Sequence, residues 1–433
     1  MESVDTSESK GQIHQARWRR WFDVLGPGLI TGASDDDPSG ISTYSVAGAT
    51  AGFSMLWLVL ITTPMMSVVQ GMCARIGMVT GAGFATNMRK RLPAWLLYPL
   101  GISVIGANIL NAGADLEGMA ASTQLIFGLP QWFWILLFGA ALLVFQVFFS
   151  YRKFSGVVKW LTLSLFAYIV TAFVVHANWI DVFRHLVIPQ VQFNATWITT
   201  AMALLGTTIT PYLFFWQACL TVEEEKLLGR RTVSERRGAT EQEIADAHLD
   251  INTGMLFSNV VAFFIIVTTA VTLNSHGLTH IQSAQDAAKA LEPLAGKFAY
   301  LLFSLGMVGT GLLAIPALIG SSAYVAAESF DWKHGLDMPL RRAPGFYGAL
   351  IIGMIVAMII GFARMNPIAA LFWSAVINGI VAVPLLAVLV HFASDKRVMG
   401  KWRSSLVARF WGWATVALMG VAAICIFAFW GKS

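Results

Sequence analysis

Residues 31–43 read TGASDDDPSGIST, three consecutive aspartates and a proline set between two glycines. The flanks are strongly apolar: FDVLGPGLI at 22–30 and VAGATAGFSMLWLVLITT at 46–63. An ionised carboxylate at the centre of a bilayer costs about 2.5–3.5 kcal/mol on insertion scales, so three in a row do not serve packing. Proline removes a backbone N–H and crowds the preceding turn, while glycine tolerates non-helical dihedrals. The stretch therefore predicts a membrane helix interrupted near Asp37–Pro38, with carboxylates at the interruption.

The rest of the chain supports a membrane reading. Of its 433 residues 56% are hydrophobic and 12% charged, against roughly 25% charged in a soluble domain. Apolar runs long enough for a ~30 Å hydrocarbon core recur along the whole length. They predict an all-α polytopic membrane protein with eleven spans, at about 23–49, 53–79, 94–127, 131–150, 155–176, 197–221, 249–274, 297–327, 345–363, 367–392 and 406–430. Residues 1–22 read as a cytoplasmic tail, with no apolar core of a signal peptide. Residues 23–433 read as one transport domain.

Lysine and arginine sort by side. The tail, the segments around Arg75–Arg91, Arg152–Lys159, Lys226–Arg237, Lys333–Arg342 and Lys396–Arg409 hold 24 of the 29 basic residues. Only Arg184, Lys289, Lys297, Arg364 and Lys432 fall on the other side. The positive-inside rule then places the N-terminus in the cytoplasm and the C-terminus outside, in a plasma (inner) membrane. Topology accounts for the formal +5 charge without nucleic acid. The polar segments 222–248 and 328–344 read as solvated inner loops, and 274–296 as an amphipathic outer helix. Cys73, Cys219 and Cys425 are scattered and suggest neither disulfide nor zinc. No HExxH, nucleophile elbow or repeated pore loop is present, which points away from an enzyme or a channel. No oligomeric state follows from the sequence.

A second interruption lies five spans on. Residues 195–220, ATWITTAMALLGTTITPYLFFWQACL, carry Gly206, two threonine pairs and Pro211 at mid-span. Unwound backbone is tolerated in hydrocarbon only where protein buries it or it lines a water-filled cavity. Matched breaks in spans 1 and 6 read either as two independent proline kinks or as the two halves of an inverted repeat. The repeat is the stronger reading: first repeat about 23–176, second about 197–392, extra helix about 406–430. That architecture belongs to secondary transporters, with a cation site where the breaks meet.

Asp37, at the break itself, is the expected direct ligand. Adjacent helical residues point ~100° apart, so Asp35 and Asp36 either attract the ion, bind it through water, or face a wet cavity. Their mutual repulsion requires a cation, water or protonation. Asp115 and Glu117 in span 3 either form a proton or water path or hydrogen-bond to neighbouring helices.

These residues resemble the natural resistance-associated macrophage protein (Nramp) family of divalent-metal transporters. GPGLITGASDDDPSGIST (26–43) is similar to that family's GPG…DPGN segment, and GTTITPYLFFWQACL (206–220) to its span-6 signature centred on methionine-proline-histidine. YRKFSGVVKWLTLSLFAYIV (151–170) resembles its fifth span, and SDKRVMG (394–400) the turn after its tenth. The resemblance implies the five-plus-five inverted-repeat fold of sodium-coupled amino-acid symporters, with helices 1 and 6 discontinuous and one helix added. It makes Asp37 the metal-binding aspartate. The family's asparagine becomes Gly40, its methionine Thr210, its histidine Tyr212, and the position giving a backbone carbonyl Thr207. Asn378 in span 10 is expected behind the direct ligands.

The departures point to a hard ion. Thioethers favour softer metals, whereas carboxylate, carbonyl, hydroxyl and water suit Mg²⁺, Ca²⁺ and Mn²⁺. Mg²⁺ keeps several waters and binds through one or two carboxylates. The changes thus resemble the Nramp-related magnesium transporters and imply alternating-access transport of partly hydrated Mg²⁺, with Mn²⁺ as a second cargo. The missing span-6 histidine implies weak or no proton coupling. Within the class, the alternative is a proton-coupled Mn²⁺/Fe²⁺ importer. A sodium-coupled amino-acid or organic-solute symporter is more distant, because three aspartates repel an anionic substrate. The metal is cargo, and no resident cofactor is implied.

Overall fold

The structure, a computed structural model, describes residues 31–429 except 33, 150–160, 337 and 364. The tail, the upstream part of span 1 and the first part of span 5 lie outside the described residues, as does the first half of the 151–170 resemblance. The long helices are α1 Pro38–Ala51, α2 Leu56–Thr80, α3 Phe84–Arg91, α4 Ala94–Phe127, α5 Gln131–Phe148, α6 Phe166–Val174 and α7 Trp179–Val187. They continue as α8 Ala195–Thr208, α9 Pro211–Leu227, α10 Glu241–Thr272, α11 Ala299–Ser329, α12 Pro344–Gly361, α13 Pro367–Ser394 and α14 Leu406–Phe429.

Among the described residues nine helical runs are long and apolar enough to cross a membrane. One of them, Pro38–Thr80, holds 43 residues. At 1.5 Å per residue such a helix would measure about 65 Å, roughly twice a bilayer core. It is interrupted at Gly52, where φ 58 and ψ −133 lead into a 3-10 turn over Gly52–Met55. A further pair, Leu163–Val174 and Trp179–Val187, passes only together and is bent by 116°. Counting the bent pair as one span gives up to ten among the described residues.

Two boundaries differ from expectation. The solvated segment 222–248 is shorter: α9 continues to Leu227 and α10 begins at Glu241. A capping box ends the loop, with Thr240 accepting from the Glu243 backbone N–H and the Glu243 side chain accepting from the Thr240 N–H. Hydropathy marks where a helix leaves lipid, whereas caps mark where it stops. The outer segment 274–296 is not one amphipathic helix. It divides into Asn274–His276, Ala284–Ala288, Lys289–Leu291 and Glu292–Ala295, with Gly277 and Gly296 at positive φ breaking the run.

α4 and α11 pack along each other through the middle of the bundle, with α13 alongside α4 and α8. Small residues let backbones approach closely, the usual means of helix association in lipid. A Cβ on Gly32 would fall 2.4 Å from the Gly254 carbonyl of α10, and one on Gly77 of α2 would fall 2.7 Å from the Ala218 carbonyl of α9. Span 1 thus meets span 7 as span 6 meets span 2. That is the pairing an inverted five-helix repeat requires.

Candidate metal centre

Both predicted breaks are present and are built alike. Thr31, Gly32, Ser34 and Asp35 are helical, the chain bends at Asp36, and α1 starts at Pro38. In span 6, α8 ends at Thr208 and α9 starts at Pro211. Each second half begins with proline at its first turn, and the preceding residue is extended: Asp37 at φ −70, ψ 171 and Thr210 at φ −88, ψ 139. Proline disfavours the helical region for its predecessor and needs no donor at the first helical position.

The two N-cap residues then diverge. Asp37 caps its own helix, its Oδ1 accepting from the Gly40 N–H at 2.6 Å. Thr210 makes no cap hydrogen bond. It is 2% exposed, and its Oγ1 has no hydrogen-bond partner. One break consumes its side-chain oxygen locally, and the other keeps it available.

A polar network converges on Asp37 from three helices. Asn111 of α4 donates from Nδ2 to Asp37 Oδ2 at 2.9 Å and to Asp115 Oδ2 at 3.1 Å. Asn378 of α13 donates to Asn111 Oδ1 at 3.0 Å, and its own Oδ1 has no partner. The Ser39 backbone N–H donates to Asp115 Oδ1 at 3.2 Å, and the Thr207 hydroxyl lies on the same side of Gly40 as Asp37 Oδ1. Gly40 completes the cradle: a Cβ there would lie 3.4 Å from Asp37 Oδ1, Thr207 Oγ1 and a Tyr44 ring carbon. Asp37, Gly40, Thr207, Asn378 and Asp115 are therefore neighbours, and Thr210 stands three residues on from Thr207, at the second break.

Asp35 and Asp36 take a different direction. Ser258 Oγ of α10 lies 2.8 Å from Asp35 Oδ2 and 2.9 Å from Asp36 Oδ1. Both aspartates are 1% exposed, so neither faces open water here. Their remaining oxygens, Asp35 Oδ1 and Asp36 Oδ2, are buried without hydrogen-bond partners. Tyr212 donates to the Ser34 carbonyl at 2.7 Å, linking the N-terminal half of span 1 to the C-terminal half of span 6. Glu117 is buried, and its Oε1 has no partner. No hydrogen bond joins it to the Asp37 network among the described residues.

Asn111 and Ser258 were not singled out from the sequence. Asn111 had a signal, because NILNAGAD puts Asn108, Asn111 and Asp115 on one helical face. Ser258 had none, since a serine in an apolar helix is unremarkable until the fold sets it against two aspartates.

Among the described residues no group of three or more histidine, cysteine, aspartate or glutamate side chains is arranged to hold a metal ion. The donors at the breaks are instead one carboxylate with hydroxyl and amide oxygens, plus the carbonyls left without intrahelical partners where α8 ends. That set suits a hard cation.

The chain is similar to known proteins along nearly its whole length. The family model described as natural resistance-associated macrophage protein-like (Nramp) matches residues 28–428. A divalent metal cation transporter MntH from Erwinia tasmaniensis is 25% identical over 401 residues, covering 90% of both chains. An MntH from Klebsiella pneumoniae is 25% identical over 408 residues, covering 92% of this chain and 91% of its own. The crystal structure of an Eremococcus coleocola manganese transporter superposes with a TM-score of 0.74 at 18% identity, covering 100% of this chain and 90% of that one. Mhp1, a nucleobase-cation-symport-1 family transporter, superposes with a TM-score of 0.52 at 15% identity, covering 93% and 91%. These likenesses show the fold, an all-helical bundle built on an inverted repeat.

Proposed function

The chain belongs to the Nramp family, and from that premise we propose that it carries divalent metal cations across a membrane by alternating access, with partly hydrated Mg²⁺ as its principal cargo and Mn²⁺ as a second. Asp37 is the anchoring carboxylate. Thr207, Thr210 and the space at Gly40 provide oxygen contacts and room for retained water, and Asn111, Asn378 and Asp115 hold Asp37 in place. Asp35 and Asp36 add negative charge behind it.

The observation that carries this reading is Thr210. Its hydroxyl oxygen is buried and unpartnered at the break where the family has a methionine. A buried oxygen without a partner costs roughly 1–3 kcal/mol, and a hard cation or its bound water offsets that cost. With no histidine beside Asp37 in the span-6 signature, the cargo moves down its own gradient with weak or no proton coupling.

Uptake by purified protein in liposomes tests this, with a Mg²⁺ indicator and a pH indicator in the lumen. Mg²⁺ entry without lumenal acidification is expected. Fe²⁺ or Mn²⁺ entry that excludes Mg²⁺ and carries protons would overturn the reading in favour of a proton-coupled importer.

A further inference from the structure

A cavity of about 670 Å³ lies on the side that the lysine and arginine distribution assigns to the outside. Val46 and Thr50 of α1 and Thr199 and Thr200 of α8 line it, with residues 280–282 of the outer segment. Toward the Asp37 centre the lining ends at Val46 on α1 and at Thr200 on α8.

Tyr44 stands between this cavity and the centre. It lies two residues inward from Val46, a rise of about 3 Å, and is 1% exposed. Helical side chains lean toward the N-terminus of their own helix, so its ring covers position 40, one turn further in. The ring carbon Cε2 lies 3.4 Å from where a Cβ on Gly40 would sit, and Asp37 Oδ1 and Thr207 Oγ1 lie at the same distance. The space at Gly40 is therefore bounded by a carboxylate, a hydroxyl and an aromatic ring, and the ring comes from the side of the outer cavity.

The hydroxyl fixes that ring. Tyr44 Oη and Thr208 Oγ1 are 3.1 Å apart, with either as donor. Thr208 is the last residue of α8 and is 3% exposed. It lies eight residues beyond Thr200, about 12 Å further in. The bond thus joins the outer half of span 1 to the broken end of span 6, across the path from the outer cavity to Asp37. One neutral hydrogen bond shifts an equilibrium by roughly 2- to 10-fold, weak enough to break in every transport cycle.

We propose that Tyr44 is the outer gate of the Asp37 centre: its ring closes the Gly40 space against the outer cavity, and its bond to Thr208 holds the ring shut. That a metal ion passes this gate rests on the transport reading above; the closure itself does not.

Gly40→Cys is the reporter, because a Cβ there meets its neighbours no closer than 3.4 Å. A membrane-impermeant methanethiosulfonate is applied outside intact spheroplasts expressing the full chain, and the same proteins with glycine at 40 correct for the three native cysteines. Labelling at position 40 should quicken roughly 2- to 10-fold with Tyr44→Phe and at least about tenfold with Tyr44→Ala. Thr208→Val removes the same bond from its other end, so it should match Tyr44→Phe, and the two together should add nothing further. The phenylalanine and valine changes carry the test if the alanine variant misfolds. Equal labelling in all variants, or additive effects of Tyr44→Phe and Thr208→Val, would overturn the proposal. Vesicles of wild type that pass no divalent ion would refute the transport reading alone, because labelling is read without transport.

Discussion

Converting the Asp37 centre toward a softer one is the sharpest test of the ligand argument. The perturbation is Gly40→Asn with Thr210→Met. A Cβ at position 40 would meet Asp37 Oδ1, Thr207 Oγ1 and the Tyr44 ring at 3.4 Å, the near edge of ordinary contact, so the first atom of the asparagine side chain is accommodated beside Asp37. Removing the Thr210 hydroxyl forfeits no hydrogen bond, because Oγ1 has none. The methionine enlarges a buried side chain, at a cost of about 1–3 kcal/mol that thermal unfolding should register. Each new direct contact with the ion is worth about 1.5–3 kcal/mol, the scale of a hydrogen bond to a charged group. One such contact, made by Mn²⁺ and refused by hydrated Mg²⁺, changes their ratio by about 10- to 150-fold. Competition between Mg²⁺ and Mn²⁺ in liposome uptake reads that ratio directly. An unchanged ratio in a folded, transporting variant would refute the reasoning.

Four further outcomes are expected. Asp37→Ala loses a helix cap worth about 0.5–2 kcal/mol yet should still fold and insert, with divalent-ion uptake at background in the liposome assay. Asn111→Leu strips the donor from Asp37 and Asp115 and the acceptor from Asn378; each stranded group costs about 1–3 kcal/mol, so both the unfolding temperature and uptake should fall. Gly206→Ala places a Cβ 2.1 Å from the Ala375 carbonyl and should cost about 1–3 kcal/mol or more. Gly348→Ala meets nothing within 4 Å and should gain about 0.5–1 kcal/mol in the same unfolding measurement.

How much of this was legible in the sequence depends on whether the signal was local. Asp37–Pro38 and Thr210–Pro211 could be located because proline acts on its own turn, and both breaks lie where the letters put them. The spacing of Asn111 and Asp115 showed a polar helical face but not what it met, since Asp37 is 74 residues away in sequence from Asn111. Tyr212 stood in a histidine's place and invited a role at the ion, yet its hydroxyl reaches the Ser34 carbonyl. The direction of a side chain at a helix break follows from the packing of two helices, which no single stretch encodes. The outer segment 274–296 misled for the opposite reason. Its apolar spacing was helical, but Gly277 and Gly296 at positive φ overrode it.

The bonds from Thr31 to Gln217 and from Tyr212 to Ser34 have a mechanical meaning. Both join the inner half of span 1 to α9, at 2.7 Å each. Neither inner half can swing alone without stranding buried polar groups, so the two are geared together. Asp37 caps the outer half, whereas Asp35 and Asp36 ride on the inner one. Under the proposed alternating-access transport, a swing of the joined halves would draw Asp35 and Asp36 away from Asp37 and so split the three carboxylates into two groups.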